Sequence, residues 1–94
     1  MAKYVVLSEL DEGGVERIKE DPSILQDVRQ EVESLGGKVI DQYALLGSYD
    51  FLTIVEADDN ETVARMSVEL GTRLNTNSES HPAIPMEEFV TEMS

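Results

Sequence analysis

Leu45-Leu46-Gly47-Ser48-Tyr49-Asp50-Phe51-Leu52 stands at the middle of a 94-residue chain, and the fold depends on how it is read. Apolar runs approach it from both sides, Lys38 to Leu46 and Phe51 to Ala57. Gly47 can take the positive φ that most residues avoid, and Asp50 is a turn former. Gly47 to Asp50, set between two strand-like runs, therefore predict a β-hairpin.

Working outward, Tyr4 to Leu10 alternates as a first strand, and Asp11-Glu12-Gly13-Gly14 turns the chain. Val15 and Ile18 open an amphipathic segment that Asp21-Pro22 interrupts. Proline suits a first helical turn, with Asp21 as its expected cap. Leu25, Val28, Val32 and Leu35 then form one helical stripe, which Gly36-Gly37 stops. Beyond the hairpin, Asp58-Asp59-Asn60-Glu61 predicts a helix start with Asp58 as cap. Val63, Met66, Ser67 and Leu70 give that helix its inner face, and Gly71 is its expected end. Leu74 to His81 is a polar fourth strand. Met86, Phe89, Val90 and Met93 fall at helical spacing, so a short C-terminal helix is expected to pack back on the body. The order is β-α-β-β-α-β plus a terminal helix. That is an α+β, ferredoxin-like arrangement of residues 1–94 as one domain, with both helices on one face of an antiparallel sheet.

Composition narrows the function. Hydrophobic residues make up 40% of the chain, enough for one modest core. No apolar run approaches the roughly 20 residues of a membrane helix, so no membrane role is expected. The absence of cysteine excludes thiolate chemistry and points to the cytoplasm. Twenty acidic residues against seven basic ones give a net charge of -13. Such a surface repels nucleic acid, which needs clustered Lys and Arg. Carboxylates spread along the chain fit a high-salt cytoplasm, where the Debye length falls to about 3 Å at 1 M salt. A surface that binds cations or a basic partner is the alternative.

The strands around the hairpin are apolar on both faces. In the second, Val39, Tyr43 and Leu45 alternate with Ile40, Ala44 and Leu46; in the third, Phe51 and Val55 alternate with Leu52 and Ile54. Helices cover only one face. Each large side chain left in water forfeits about 1.5–3 kcal/mol. A second copy laid sheet against sheet removes the defect, so a homodimer or a higher oligomer is expected. Its interface would hold Tyr43, Leu45, Phe51 and Thr53, or the opposite set Leu46, Leu52 and Ile54.

Four stretches carry a family resemblance: Ala2-Lys3-Tyr4-Val5-Val6-Leu7, Leu35-Gly36-Gly37-Lys38-Val39, Gly47-Ser48-Tyr49-Asp50-Phe51 with Val55-Glu56-Ala57, and Pro85-Met86-Glu87-Glu88-Phe89. By their order and spacing the chain resembles the GYD family, named for Gly-Tyr-Asp. The resemblance implies a dimeric α+β barrel, a prokaryotic origin and no assigned activity. Segment 75–80 departs from the family's pattern in being unusually polar. The acidity points to a halophilic source.

Candidate ligand-binding residues are Tyr49, Asp50, Tyr43, Thr53 and His81, with Gly47, Tyr49 and Asp50 as a structural motif. Tyr49 and Asp50 could bind a polar ligand or handle a proton at a cleft. The tight turn favours the structural reading, in which Asp50 holds the turn backbone while Tyr49 packs over the sheet edge. Tyr4, Tyr43 and Thr53 could line a pocket between paired sheets. His81 and Glu79 share a strand face, but two ligands fall short of a metal site. No glycine-rich phosphate loop and no nucleophile-turn serine is present. No metal or cofactor is expected. The leading expectation is a non-enzymatic ligand-binding or regulatory module with itself and a small molecule as partners. The alternatives are a small oxygenase- or isomerase-type enzyme using the intersheet cavity, or a pure assembly protein.

Overall fold

In the computed structural model, which describes residues 1–94, the chain runs β1 (Ala2–Leu10), α1 (Glu12–Glu20), α2 (Ile24–Ser34), β2 (Lys38–Ala44), β3 (Phe51–Ala57), α3 (Asn60–Leu74), β4 (Thr76–Ala83) and α4 (Met86–Met93). The four strands form one antiparallel sheet in the order β2-β3-β1-β4. This is the ferredoxin-like order the sequence predicts, with its first helical region broken into α1 and α2. Pro82, which lacks a backbone donor, is tolerated because β4 is an edge strand.

Side-chain parity divides the sheet. Tyr4, Val39, Val55 and Ala57 are buried with Val32 of α2 and with Val63 and Met66 of α3. That parity faces the helices. Val5, Leu7, Leu52 and Ile54, one residue out of step, face away and pair across strands as Val5 with Ile54 and Leu7 with Leu52. They are half-buried in the single chain and sit on the open side, away from the helical core, as the second apolar face that the two-sided pattern predicts.

Local chemistry decides the element ends, and several differ from expectation. Asp21 serves both helices. Its N–H donates to the Arg17 carbonyl at 2.9 Å, closing α1, while its Oδ1 accepts from Ser23 N at 3.1 Å and from the Ser23 hydroxyl, capping the turn that leads into α2. Gly36 and Gly37 end α2 as a Schellman motif. Gly37 N donates to Val32 O at 2.9 Å and Gly36 N to Glu33 O at 3.2 Å, with Gly36 at φ +102°. The cap of α3 is Asp59 rather than Asp58, its Oδ1 accepting from Thr62 N at 2.8 Å. That helix runs through Gly71 to Leu74, and Asn75 ends it at φ 56°. Asn tolerates the left-handed region because its short amide bonds locally.

Two corrections bear on assembly. A β-bulge between Val39 and Asp41 adds one residue to β2, pairing Val39 with Val55 but Asp41 with Ile54. Tyr43 is thereby moved off the Val39 face and set opposite Leu52, on the open side. The expected grouping of Tyr43 with Phe51 and Thr53 fails for that reason. The second is α4, which does not pack back on the body. It buries no residue, and Met86, Phe89, Val90 and Met93 are all exposed. Pro85 at its start holds φ -54°, ψ 139°, an extended conformation that carries the helix away from the sheet.

Candidate functional site

The hairpin loop runs from Leu45 to Asp50, because β2 ends at Ala44, two residues before the predicted end. Gly47 sits there at φ +116° with open space around it, so the backbone alone requires glycine. Leu46 beside it is fully exposed. Asp50 closes the loop with three bonds. Its carbonyl accepts from Leu45 N, and its N–H donates to Ser8 O, both at 2.8 Å. Its carboxylate Oδ2 accepts from Leu10 N, also at 2.8 Å. The carboxylate thus anchors the hairpin to the end of β1, forty residues away in sequence, rather than capping its own turn.

The preceding residue points elsewhere. The Tyr49 hydroxyl faces the Glu79 carboxylate, which bonds His81, with Oε2 3.2 Å from Nε2. Glu79 pairs with Leu7 and His81 with Val5, so this cluster lies on the open face at the β4 edge. The Tyr49 hydroxyl holds the Glu79 carboxyl below its usual range, and the His81 bond adds to this. In return Glu79 raises the Tyr49 phenol above its ordinary value of 10.0, since the phenolate would lose that contact and face a carboxylate. The three groups could bind a polar ligand or relay a proton, but the cluster is exposed. No group of three or more His, Asp or Glu side chains is placed to hold a metal ion.

The expected site residues are therefore split. Tyr49 and His81 meet through Glu79, and Tyr43 lies on the same open face but at the β2 edge. Thr53 faces the helices, because it pairs with Val6 and Gln42 and lies two residues from buried Val55. Tyr4 is buried on that side too, its hydroxyl donating to Asn60 Oδ1 at 2.7 Å. Neither Thr53 nor Tyr4 can line a pocket between paired sheets. The cavity that exists is intramolecular. It lies between the helices and the Phe51–Thr53 half of the sheet, with a volume of about 370 Å³. Sequence reasoning missed it, although Ser8, Thr76 and Ser78 at helix-facing parity were a signal: small polar residues stood where a core needs bulk.

Comparison with known proteins agrees with this architecture. A protein of Thermus thermophilus named "glutamine synthetase and cystathionine beta-lyase binding protein" is 37% identical over 94 residues, covering 99% of each chain. Among solved structures, FFRP-DM1 matches with a TM-score of 0.61 at 17% identity, covering 89% of this chain and 100% of that one. The Mycobacterium tuberculosis leucine response regulatory protein LrpA matches with a TM-score of 0.59 at 15% identity, covering 89% of this chain and 51% of its own. At these identities the two structures speak for the fold alone. The GYD domain model matches residues 4–91, nearly the whole chain and including the Gly47-Ser48-Tyr49-Asp50 loop, and the chain belongs to the GYD domain family.

Proposed function

We propose that this protein is a non-enzymatic regulatory module that pairs with itself through its open sheet face and docks onto an enzyme. The open apolar face carries the reading. Val5, Leu7, Leu52 and Ile54 form a continuous patch on a sheet whose other side is already occupied by helices. Soluble proteins rarely leave such a patch in water unless a partner covers it. The relative's name supports an enzyme as the docked partner, and the exposed stripe on α4 offers a helix-in-groove anchor for one. The test is titration of the purified protein against glutamine synthetase and against cystathionine β-lyase, with sedimentation velocity and enzyme turnover as readouts. A saturable complex with either enzyme, weakened by Phe89→Asp, is the expected result. No complex with either at tens of micromolar would remove the docking half of the proposal.

A second reading, a small enzyme working between paired sheets, is favoured by one observation: a phenol, a carboxylate and an imidazole meet as Tyr49, Glu79 and His81. It expects a metabolite that raises the melting temperature of the wild type and not of Glu79→Gln.

A further inference from the structure

The helix-facing side of the sheet is built in two halves of opposite character. In one, Tyr4, Val39 and Val55 are sealed by Val32, Val63 and Met66. In the other, strand pairing sets Gln42 beside Thr53 and Ser8 beside Ser78. The apolar side chains of Ile18, Leu25, Val28, Leu70 and Leu74 lie across from that second floor, and the space between is the cavity of about 370 Å³. Leucine or phenylalanine at the floor positions would reduce it. Small hydroxyl residues there leave it open, which a core selected only for packing does not do.

We propose that this cavity is a binding site for a neutral, largely apolar small molecule bearing one hydroxyl or carbonyl group. Its size falls within the range of small-molecule sites, and an apolar cavity of about 150 Å³ already holds benzene. None of the 21 lining residues is charged, so nothing there compensates a carboxylate, a phosphate or an ammonium group. The polar floor supplies the orienting contacts. Ser8 and Ser78 share a hydrogen bond of 3.2 Å between their Oγ atoms, with one hydroxyl proton and further lone pairs to spare. The Thr53 hydroxyl and the Gln42 amide, next to each other across β2 and β3, form no side-chain hydrogen bond within the protein and face the same space. A hydroxyl or carbonyl placed there would satisfy them while its hydrocarbon body lay against the helices. A protein helix with an apolar stripe would leave that floor unsatisfied, which is why a small molecule is the occupant. The site lies on the opposite side of the sheet from the open face, so it stands whether or not the chain pairs through that face.

The test uses N-phenyl-1-naphthylamine, a neutral dye that fluoresces in apolar surroundings, and three competitors of equal chain length: 1-decanol, decanoate and decylammonium. The expected result is saturable binding of one dye per chain, displaced by decanol at a concentration about tenfold or more below that needed for either ion. Thr53→Leu narrows the cavity and weakens dye binding. Thr53→Val keeps the volume without the hydroxyl; it retains the dye and narrows decanol's advantage, and it serves if Thr53→Leu fails to fold. Equal displacement by decanoate, dye binding unchanged in a folded Thr53→Leu, or no saturable binding would overturn the proposal. So would dye release as the protein self-associates, because a second copy would then occupy the cavity.

Discussion

Asp50 shows how much one side chain can organise. Its backbone closes the hairpin and its carboxylate satisfies Leu10 N at the end of β1. Asp50→Ala should destabilise the fold by about 1–3 kcal/mol in urea unfolding, because a backbone donor loses a charged acceptor. Asp50→Asn keeps an acceptor and should cost less; equal stability of both variants and wild type would rule out the anchor. Tyr49 and Glu79 make a pH prediction with opposite signs at the two ends of the scale. The folded pKa of Glu79 is depressed, so its contribution is present above its ordinary value of 4.5 and is lost as pH falls through the lower folded value. The folded pKa of Tyr49 is raised, so its contribution is complete below 10.0 and is lost as pH rises through the higher folded value. Glu79→Gln should flatten the acid limb of the melting curve and bring the Tyr49 titration down, followed by ultraviolet absorbance of the phenolate. A Tyr49 titration that does not move in that variant would show that the pair is not formed.

At the scale of elements, ordinary helix chemistry explains most ends, and the misplaced ones are instructive. Asp58 and Asp59 are equivalent candidates for the cap of α3 in a one-dimensional reading. Asp59 takes the role because its extended backbone aims Oδ1 at both Thr62 N and the Thr62 hydroxyl. Those two bonds lower its pKa, and so its contribution persists above its ordinary value of 3.8 and fades as pH drops through the folded one. Asp59→Ala should lower the melting temperature measurably at neutral pH, whereas Asp58→Ala should leave it nearly unchanged. The reverse ranking would move the start of α3. The stripe on α4 was legible as a helix, and its spacing is right. Whether such a stripe meets its own chain is a question of chain direction, and the extended Pro85 turns it outward.

The whole molecule is governed by its uncovered face and its charge. Leu52→Glu places a carboxylate at the middle of the open face, beside Leu7 and Tyr43. If two copies pair there, burying well over about 1,000 Å² in total, sedimentation equilibrium should find a dimer for wild type and a folded monomer for the variant. A wild type that stays a 10.5 kDa monomer at micromolar concentration in high salt would end the sheet-to-sheet proposal. A net charge of -13 also makes the compact state self-repelling. The melting temperature should rise clearly from dilute buffer to molar KCl. An unchanged value would withdraw the halophilic origin and favour an acidic surface that binds cations.

Periodicity and turn chemistry in the sequence alone determined the element order, the hairpin at Gly47, the break at Asp21-Pro22 and the two-sided apolar strands, because these depend on residues within a few positions of one another. The GYD resemblance was legible for the same reason, being carried by short motifs in order. The tertiary structure decided which face the helices take and which side chains share it. One extra residue in β2 was enough to send Tyr43 to the side opposite Val39, since side chains alternate with every residue and a bulge reverses them from that point on. It also decided that Tyr49 meets Glu79 rather than Asp50's surroundings, and that Ser8, Ser78, Thr53 and Gln42 form one floor. Those contacts join strands far apart in the chain, and only the sheet's register brings them within reach.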